Sequence, residues 1–169
     1  MTPNIYALTG PHGTGKTTEV YRLAHELKKR VKGDVGLIRE TARRCPLPIY
    51  RKGEVPTEEA QRWIFGEQMR LEIEESARHE VVVSDRTIVD CIAYSAVAGM
   101  RELTYGMVKL ARLHMGIYKS IIFRGLAGNP FCVDDGERHQ DQALRAELEQ
   151  VMLNLYAELG ARVEREAPF

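Results

Sequence analysis

Short apolar runs alternate with amphipathic stretches along the whole chain. Ile5-Tyr6-Ala7-Leu8 is an apolar run that closes at Gly10, the pattern of a buried strand. Val20, Leu23, Ala24, Leu27 and Val31 then recur at helical spacing, and Gly33 is placed to end that helix. Val35–Ile38 predicts a second strand, closed by Arg39-Glu40. Pro46, Pro48 and Pro56 punctuate the next stretch, which reads as loop. A helix is expected from Thr57 onward, with Gly66 as a weak point inside it. Val81-Val82-Val83 predicts a buried strand that runs into Ser84-Asp85-Arg86. Helices over Ile88–Ala98 and Glu102–Ile117 follow, divided by Gly99.

Ser120–Phe123 reads as a fourth strand. The polar residues from Gly125 to about 141 predict a mobile lid loop. Leu144, Leu148, Val151, Leu155 and Leu159 mark one apolar helix face, with Gly160 to cap it. Ala161–Glu166 is expected to add a last, short strand. Strands alternating with helices predict an α/β fold: a parallel sheet of about five strands between helices, with ligands at the carboxyl ends of the strands. The 169 residues fit one domain, 1–169, with a single sizeable core.

Composition narrows the partners. Lys and Arg total 24 and Asp and Glu total 24, so no overall charge drives the chain to nucleic acid or membrane, and local clusters must do any electrostatic work. No apolar run is long enough to span a bilayer, and a signal-peptide pattern is absent at the N-terminus. Cys45, Cys91 and Cys132 are odd in number and widely spaced, which reads as reduced thiols in a cytoplasmic protein.

The chemistry concentrates at the predicted strand ends. Gly10-Pro11-His12-Gly13-Thr14-Gly15-Lys16-Thr17 fits the P-loop pattern G-x-x-x-x-G-K-[ST] between a strand and a helix. Its glycines let backbone N–H groups curl around phosphate oxygens, and Thr18 continues into the helix whose dipole adds to the site. Lys16 is expected to face solvent at the outer phosphates, and the Thr17 hydroxyl to ligate magnesium. The implied ligands are ATP and Mg²⁺. At the end of the third strand, Asp85 can hold the metal through water and Arg86 can reach a phosphate; a helix N-cap at Asp85 is the plainer alternative.

Glu40 ends the second strand, where a carboxylate could take the proton of an attacking hydroxyl or simply pair with Arg43 or Arg44. Arg39, Arg43, Arg44, Arg51 and Lys52 form a basic patch suited to an anionic acceptor, or to the end of a nucleic acid. Gln68, near Trp63 and Phe65, could read a base edge, although those aromatics suit the core. Arg138, His139 and Arg145 lie in or just after the lid loop, and Arg138 is the candidate for transition-state charge. His12 is expected to face solvent rather than a metal.

These residues resemble a family. The P-loop, Ile38-Arg39-Glu40 and Asp85-Arg86-x-x-x-Asp90-x-x-Ala93-Tyr94 look like thymidylate kinase, and Trp63-x-Phe65-x-x-Gln68 is similar to the base-reading helix of deoxynucleoside kinases. Glu40-Thr41-Ala42-Arg43 resembles the compact ATPase/kinase group that includes nicotinamide riboside kinase domains. The chain departs from thymidylate kinases at Thr41-Ala42-Arg43-Arg44, where they carry Pro-Gly-Gly-Thr, and at Ser95, where they carry Gln. The resemblance implies a P-loop kinase that moves phosphate to a small nucleoside, nucleotide or related metabolite. An ATPase switch acting through a protein partner and a nucleic-acid 5′-end kinase stay open as alternatives. The partners expected are a small-molecule acceptor, no membrane, nucleic acid as the less favoured substrate, and a second copy of the chain as an allowed assembly. Asn-Lys-x-Asp, the guanine-reading motif, does not occur. A mechanical ATPase would need a separate helical lid domain for which the chain has no room.

Overall fold

The computed structural model describes residues 2–49, 56–129 and 142–167. Four strands, β1 (Ile5–Thr9), β2 (Val35–Ile38), β3 (Val81–Asp85) and β4 (Tyr118–Phe123), form one sheet in the order β2-β3-β1-β4, with every pairing parallel. The helices between them are α1 (Lys16–Arg30), α2 (Glu58–Arg78), α3 (Ile88–Val97) and α4 (Arg101–His114), and α5 (Gln142–Glu158) follows β4.

Successive strand residues face opposite layers, and the sequence exploits that period. Ala7, Val82 and Ile121 enter the larger core with residues of α2, α3, α4 and α5. Their neighbours Leu8, Val83 and Ile122 meet Val20, Leu23 and Leu27 of α1 on the other face. Both faces of the sheet are therefore covered, which explains why the strands read as continuous apolar runs.

Among the described residues the expected sheet of about five strands has four. Instead of a fifth, the segment after α5 makes one parallel bridge, Ile122 with Glu164. Phe123 N–H donates to the Glu164 carbonyl at 2.7 Å, and Glu164 N–H donates to the Ile121 carbonyl at 2.8 Å. Arg162, Glu164, Arg165 and Glu166 leave Val163 as the lone strong strand former there, so pairing stops after one residue.

Helix starts follow local chemistry. Thr57 caps α2, its hydroxyl accepting from Ala60 N–H at 3.2 Å, and the helix runs unbroken through Gly66. The helix expected over Glu102–Ile117 closes at His114 and finishes with a 3₁₀ turn, Met115–Ile117. Among the described residues no helix is long and apolar enough to cross a membrane. Cys45 and Cys91 are buried and unbridged.

Candidate active site

The loop from Gly10 to Gly15 joins β1 to α1 and needs glycine for two separate reasons. Gly10 has φ of 132°, and a Cβ there would lie 2.3 Å from the Arg124 carbonyl oxygen. Gly15, at φ 76°, is the left-handed N-cap from which α1 starts. Thr14 Oγ1 donates to the Pro11 carbonyl at 3.0 Å and shapes the turn between them.

Lys16 corrects the expectation of a solvent-facing cation. It is 5% exposed, and its ammonium donates to the Pro11 carbonyl and, at 3.1 Å, to Thr14 Oγ1. The ammonium folds back into the loop because nearby carbonyl and hydroxyl oxygens satisfy it there. Burial, followed by the positive charge of Arg86, lowers its pKa to about 7.

Thr17 and Asp85 meet across the sheet end, Thr17 Oγ1 donating to Asp85 Oδ2 at 2.7 Å. Burial raises the Asp85 carboxyl above its usual range. The capping alternative for Asp85 gives way to its neighbour. Thr87 is the N-cap of α3 and forms a capping box with Asp90. Thr17 and Asp85 present hard oxygen donors of the type magnesium takes, so the pair fits the metal that the P-loop implies.

Arg86 sits at φ 91°, the one non-glycine residue with positive φ among those described. Strain of this kind costs about 1–3 kcal/mol and persists where surrounding contacts hold it. The contacts here are numerous. Arg86 N–H donates to the Leu8 carbonyl at 2.8 Å, and its own carbonyl accepts from Ser84 Oγ at 2.7 Å and Gln68 Nε2 at 3.4 Å. The guanidinium donates from Nε and NH2 to Glu40 Oε1 at 3.1 and 3.0 Å, and from NH1 to Asp90 Oδ1 at 3.0 Å and the Gly10 carbonyl at 3.4 Å. Tyr94 covers it at 5.7 Å from the ring centroid.

The remaining predicted residues gather around this cluster. Arg43 Nε donates to Glu40 Oε2 at 2.6 Å and Arg44 pairs with Glu67 at 3.3 Å, whereas Arg39, the third described arginine of the basic patch, is exposed. His12 is half-buried, its Nδ1 3.1 Å from the Tyr94 hydroxyl, and Thr18 is exposed beside Thr17. Gln68 is 2% exposed: its Oε1 accepts from Thr41, and its Nε2 also donates to Glu72 at 2.9 Å and Ser84 Oγ at 3.1 Å. The amide is thus enclosed between the β2 and β3 ends instead of lying on an open surface. Arg138, His139, Arg51 and Lys52 lie outside the described residues, as does most of the expected lid loop.

Sequence reasoning missed Thr9 and Arg124. Thr9 Oγ1 donates to Asp90 Oδ2 at 2.8 Å and accepts from Tyr156 at 2.9 Å, joining β1 to α3 and α5. Arg124 follows β4 directly, its backbone against Gly10 of the loop. Their position at carboxyl ends of strands was the available signal. The guanidinium Nε of Arg124, and Nε and NH2 of Arg145, are buried without a hydrogen-bond partner. Arg145 NH2 lies 3.4 Å from the Cβ position of Gly13, against the phosphate loop itself.

A protein family described as an AAA domain (AAA_28) matches residues 5–167, nearly the whole chain. The chain belongs to this AAA domain family. Several solved structures share the fold of this chain. The NadR protein in complex with NR is similar at a TM-score of 0.72 and 18% identity, over 99% of this chain and 47% of NadR, so the chain spans about half of that protein's length. Thymidylate kinase from Ehrlichia chaffeensis is similar at 0.67 and 17% identity, over 97% of this chain and 92% of that one. Thymidylate kinase from Candida albicans is similar at 0.65 and 16% identity, over 96% and 83% respectively. No curated protein matches the chain in sequence. The AAA domain family attribution and these likenesses fix the fold, and the activity is argued from the site.

Proposed function

We propose that this AAA domain family member is a Mg²⁺-dependent phosphotransferase that moves the γ-phosphoryl group of ATP to a small nucleoside, nucleotide or related metabolite. The observation that carries the reading is the Glu40–Arg86–Asp90 cluster, linked to the loop by the Arg86 contact with the Gly10 carbonyl. The resemblance of the fold to NadR and the thymidylate kinases agrees with it.

In this reading the loop amides, Lys16 and the N-terminus of α1 hold the triphosphate. Thr17 and Asp85 would hold the magnesium ion, which when bound neutralises charge on the phosphates. An acceptor hydroxyl oxygen bonds to the γ-phosphorus as the bond to the β,γ-bridging oxygen breaks, and that electron pair leaves with ADP. Glu40 takes the hydroxyl proton, and Arg86 keeps the carboxylate aimed. Gln68 acts through Arg86 and Thr41 rather than by touching a base. Arg145, already against Gly13, supplies donor-side charge alongside Arg138. A cytoplasmic location belongs to the same proposal.

The AAA domain family attribution favours a second reading, an ATPase or nucleotide switch acting through a protein partner. Incubation with γ-labelled ATP and a panel of nucleosides, monophosphates and oligonucleotide ends separates the two. Transfer of label to one acceptor class, reduced roughly a hundredfold in kcat by Glu40→Gln, is the expected result. Hydrolysis indifferent to every acceptor leaves the switch.

A further inference from the structure

Glu72 stands one turn after Gln68 in α2 and is fully buried. Three donors converge on its two oxygens. Gln68 Nε2 donates to Oε1 at 2.9 Å, His114 Nε2 to Oε2 at 2.7 Å, and the Tyr118 hydroxyl reaches both, at 2.9 and 2.8 Å. The Tyr118 oxygen also accepts from Ile88 N–H at 3.1 Å, so its single proton is left for Glu72. Burial, followed by the Glu72 charge, raises the Tyr118 pKa and keeps that proton in place. Converging donors suit an ionised carboxylate, which only accepts. We infer that Glu72 is a positioning residue: it fixes which way the Gln68 amide points, and through that amide it holds Thr41 and Arg86 in place for phosphoryl transfer. The kinetic part of the inference rests on the transfer reading above.

An enclosed glutamine amide has two orientations, which exchange its oxygen and its nitrogen. The hydroxyls around Gln68 do not choose between them. Thr41 Oγ1 donates to Oε1 and Ser84 Oγ accepts from Nε2 at 3.1 Å, but a hydroxyl turns to suit either end. Glu72 and the Arg86 carbonyl do choose, because each only accepts. Glu72 Oε1 lies 2.9 Å from Nε2 and the Arg86 carbonyl 3.4 Å, so the charged and nearer acceptor is the stronger selector. An inverted amide would set its oxygen against both. It would press on the carbonyl of a residue whose φ is already 91°. Ser84, turning to donate to that oxygen, would also release the Arg86 carbonyl it holds at 2.7 Å. From that backbone the Arg86 guanidinium leads to Glu40 at 3.1 and 3.0 Å, and Thr41 is the residue after Glu40. Packing alone asks for no charge at position 72, since an apolar residue of like volume avoids the cost of burying one.

The test pairs heteronuclear NMR on the unliganded full chain, reading the Gln68 side-chain amide and the Arg86 Nε–H, with transfer kinetics on the acceptor that takes label best. In the wild type both signals should exchange slowly with water. A rapidly exchanging Gln68 amide overturns the inference, and that measurement stands even if a variant does not fold. Glu72→Gln keeps the volume but presents either an oxygen or an N–H to Gln68. We expect it to double or broaden the Gln68 signals and to speed Arg86 Nε–H exchange, and to lower kcat at least about tenfold with ATP affinity nearly unchanged. In a Gln68→Leu background the same change should cost kcat less than about twofold, because residues that act through one another are not additive. A loss there as large as in the wild type would make Glu72 a packing residue and overturn the inference. Gln68 and Arg86 signals that Glu72→Gln leaves unmoved would overturn it as well. Moved signals without transfer to any acceptor would uphold the positioning role and defeat the transfer reading.

Discussion

Thr17 Oγ1 donates to Asp85 Oδ2 at 2.7 Å, tying the first turn of α1 to the end of β3. Thr87, and not Asp85, caps the following helix, so the Asp85 carboxylate is free of a capping duty. Asp85→Asn should therefore keep α3 intact and weaken ATP affinity in the presence of Mg²⁺ more than in its absence. Titrations with and without the metal check this. Equal losses in both would return Asp85 to a structural role.

Lys16 gives a pH dependence with a definite sign. In the unliganded protein its pKa is lowered to about 7, whereas bound phosphates favour the ammonium. Below pH 7 the cation is already present. Above it, ATP binding must take up a proton, and affinity should fall by up to about tenfold per pH unit until the bound-state pKa is reached. Calorimetry at pH 8 in buffers of different ionisation enthalpy reads the proton directly. Lys16→Arg should abolish the uptake, and Lys16→Ala should cost at least about a hundredfold in turnover while the fold survives. An unchanged heat in every buffer would remove Lys16 from the phosphate site.

Gly10 and Gly13, two of the three loop glycines, should respond differently to alanine. At Gly10 the added Cβ would meet the Arg124 carbonyl oxygen at 2.3 Å with φ at 132°, so main chain must move. At Gly13, with φ at 73°, alanine is also strained, but its Cβ would meet only the end of the Arg145 side chain at 3.4 Å, which can shift. Gly10→Ala should lose about 1–3 kcal/mol of stability from backbone strain, on top of the steric cost, and most ATP binding. Gly13→Ala should lose less stability. Urea unfolding of both variants measures the difference.

Gln68→Leu would leave the Thr41 hydroxyl without its acceptor and Glu72 without the Gln68 donor, and would remove the longer of the two contacts to the Arg86 carbonyl, which keeps Ser84. We expect a stability loss of about 1–3 kcal/mol and a fall in kcat with ATP affinity nearly unchanged. If the variant instead alters which base is accepted, with kcat preserved, Gln68 reads the acceptor itself.

The order of strands and helices, the P-loop and the strand-end positions of Glu40, Asp85 and Arg86 were all legible in the sequence. They are written in local code: apolar period, glycine spacing and the residue that follows a buried run. The fifth strand was misjudged because Val163 alone favours pairing among charged neighbours, and one bridge to Ile122 was all the sheet edge accepted.

What local code could not carry was partnership. Whether Lys16 faces water depends on the Pro11 and Thr14 oxygens that the loop's curvature brings to it. Whether Gln68 meets a ligand depends on Ser84 and Glu72, one of them a strand away. The basic residues after β2 read as a free anionic site in sequence, yet packing gives Glu40 to both Arg43 and Arg86 and leaves unpaired guanidinium nitrogens at Arg124 and Arg145. Sequence thus determined which chemical groups stand at the ends of the strands. Only the tertiary structure decided which charges cancel, because cancellation depends on distances of about 3 Å between residues far apart in the chain.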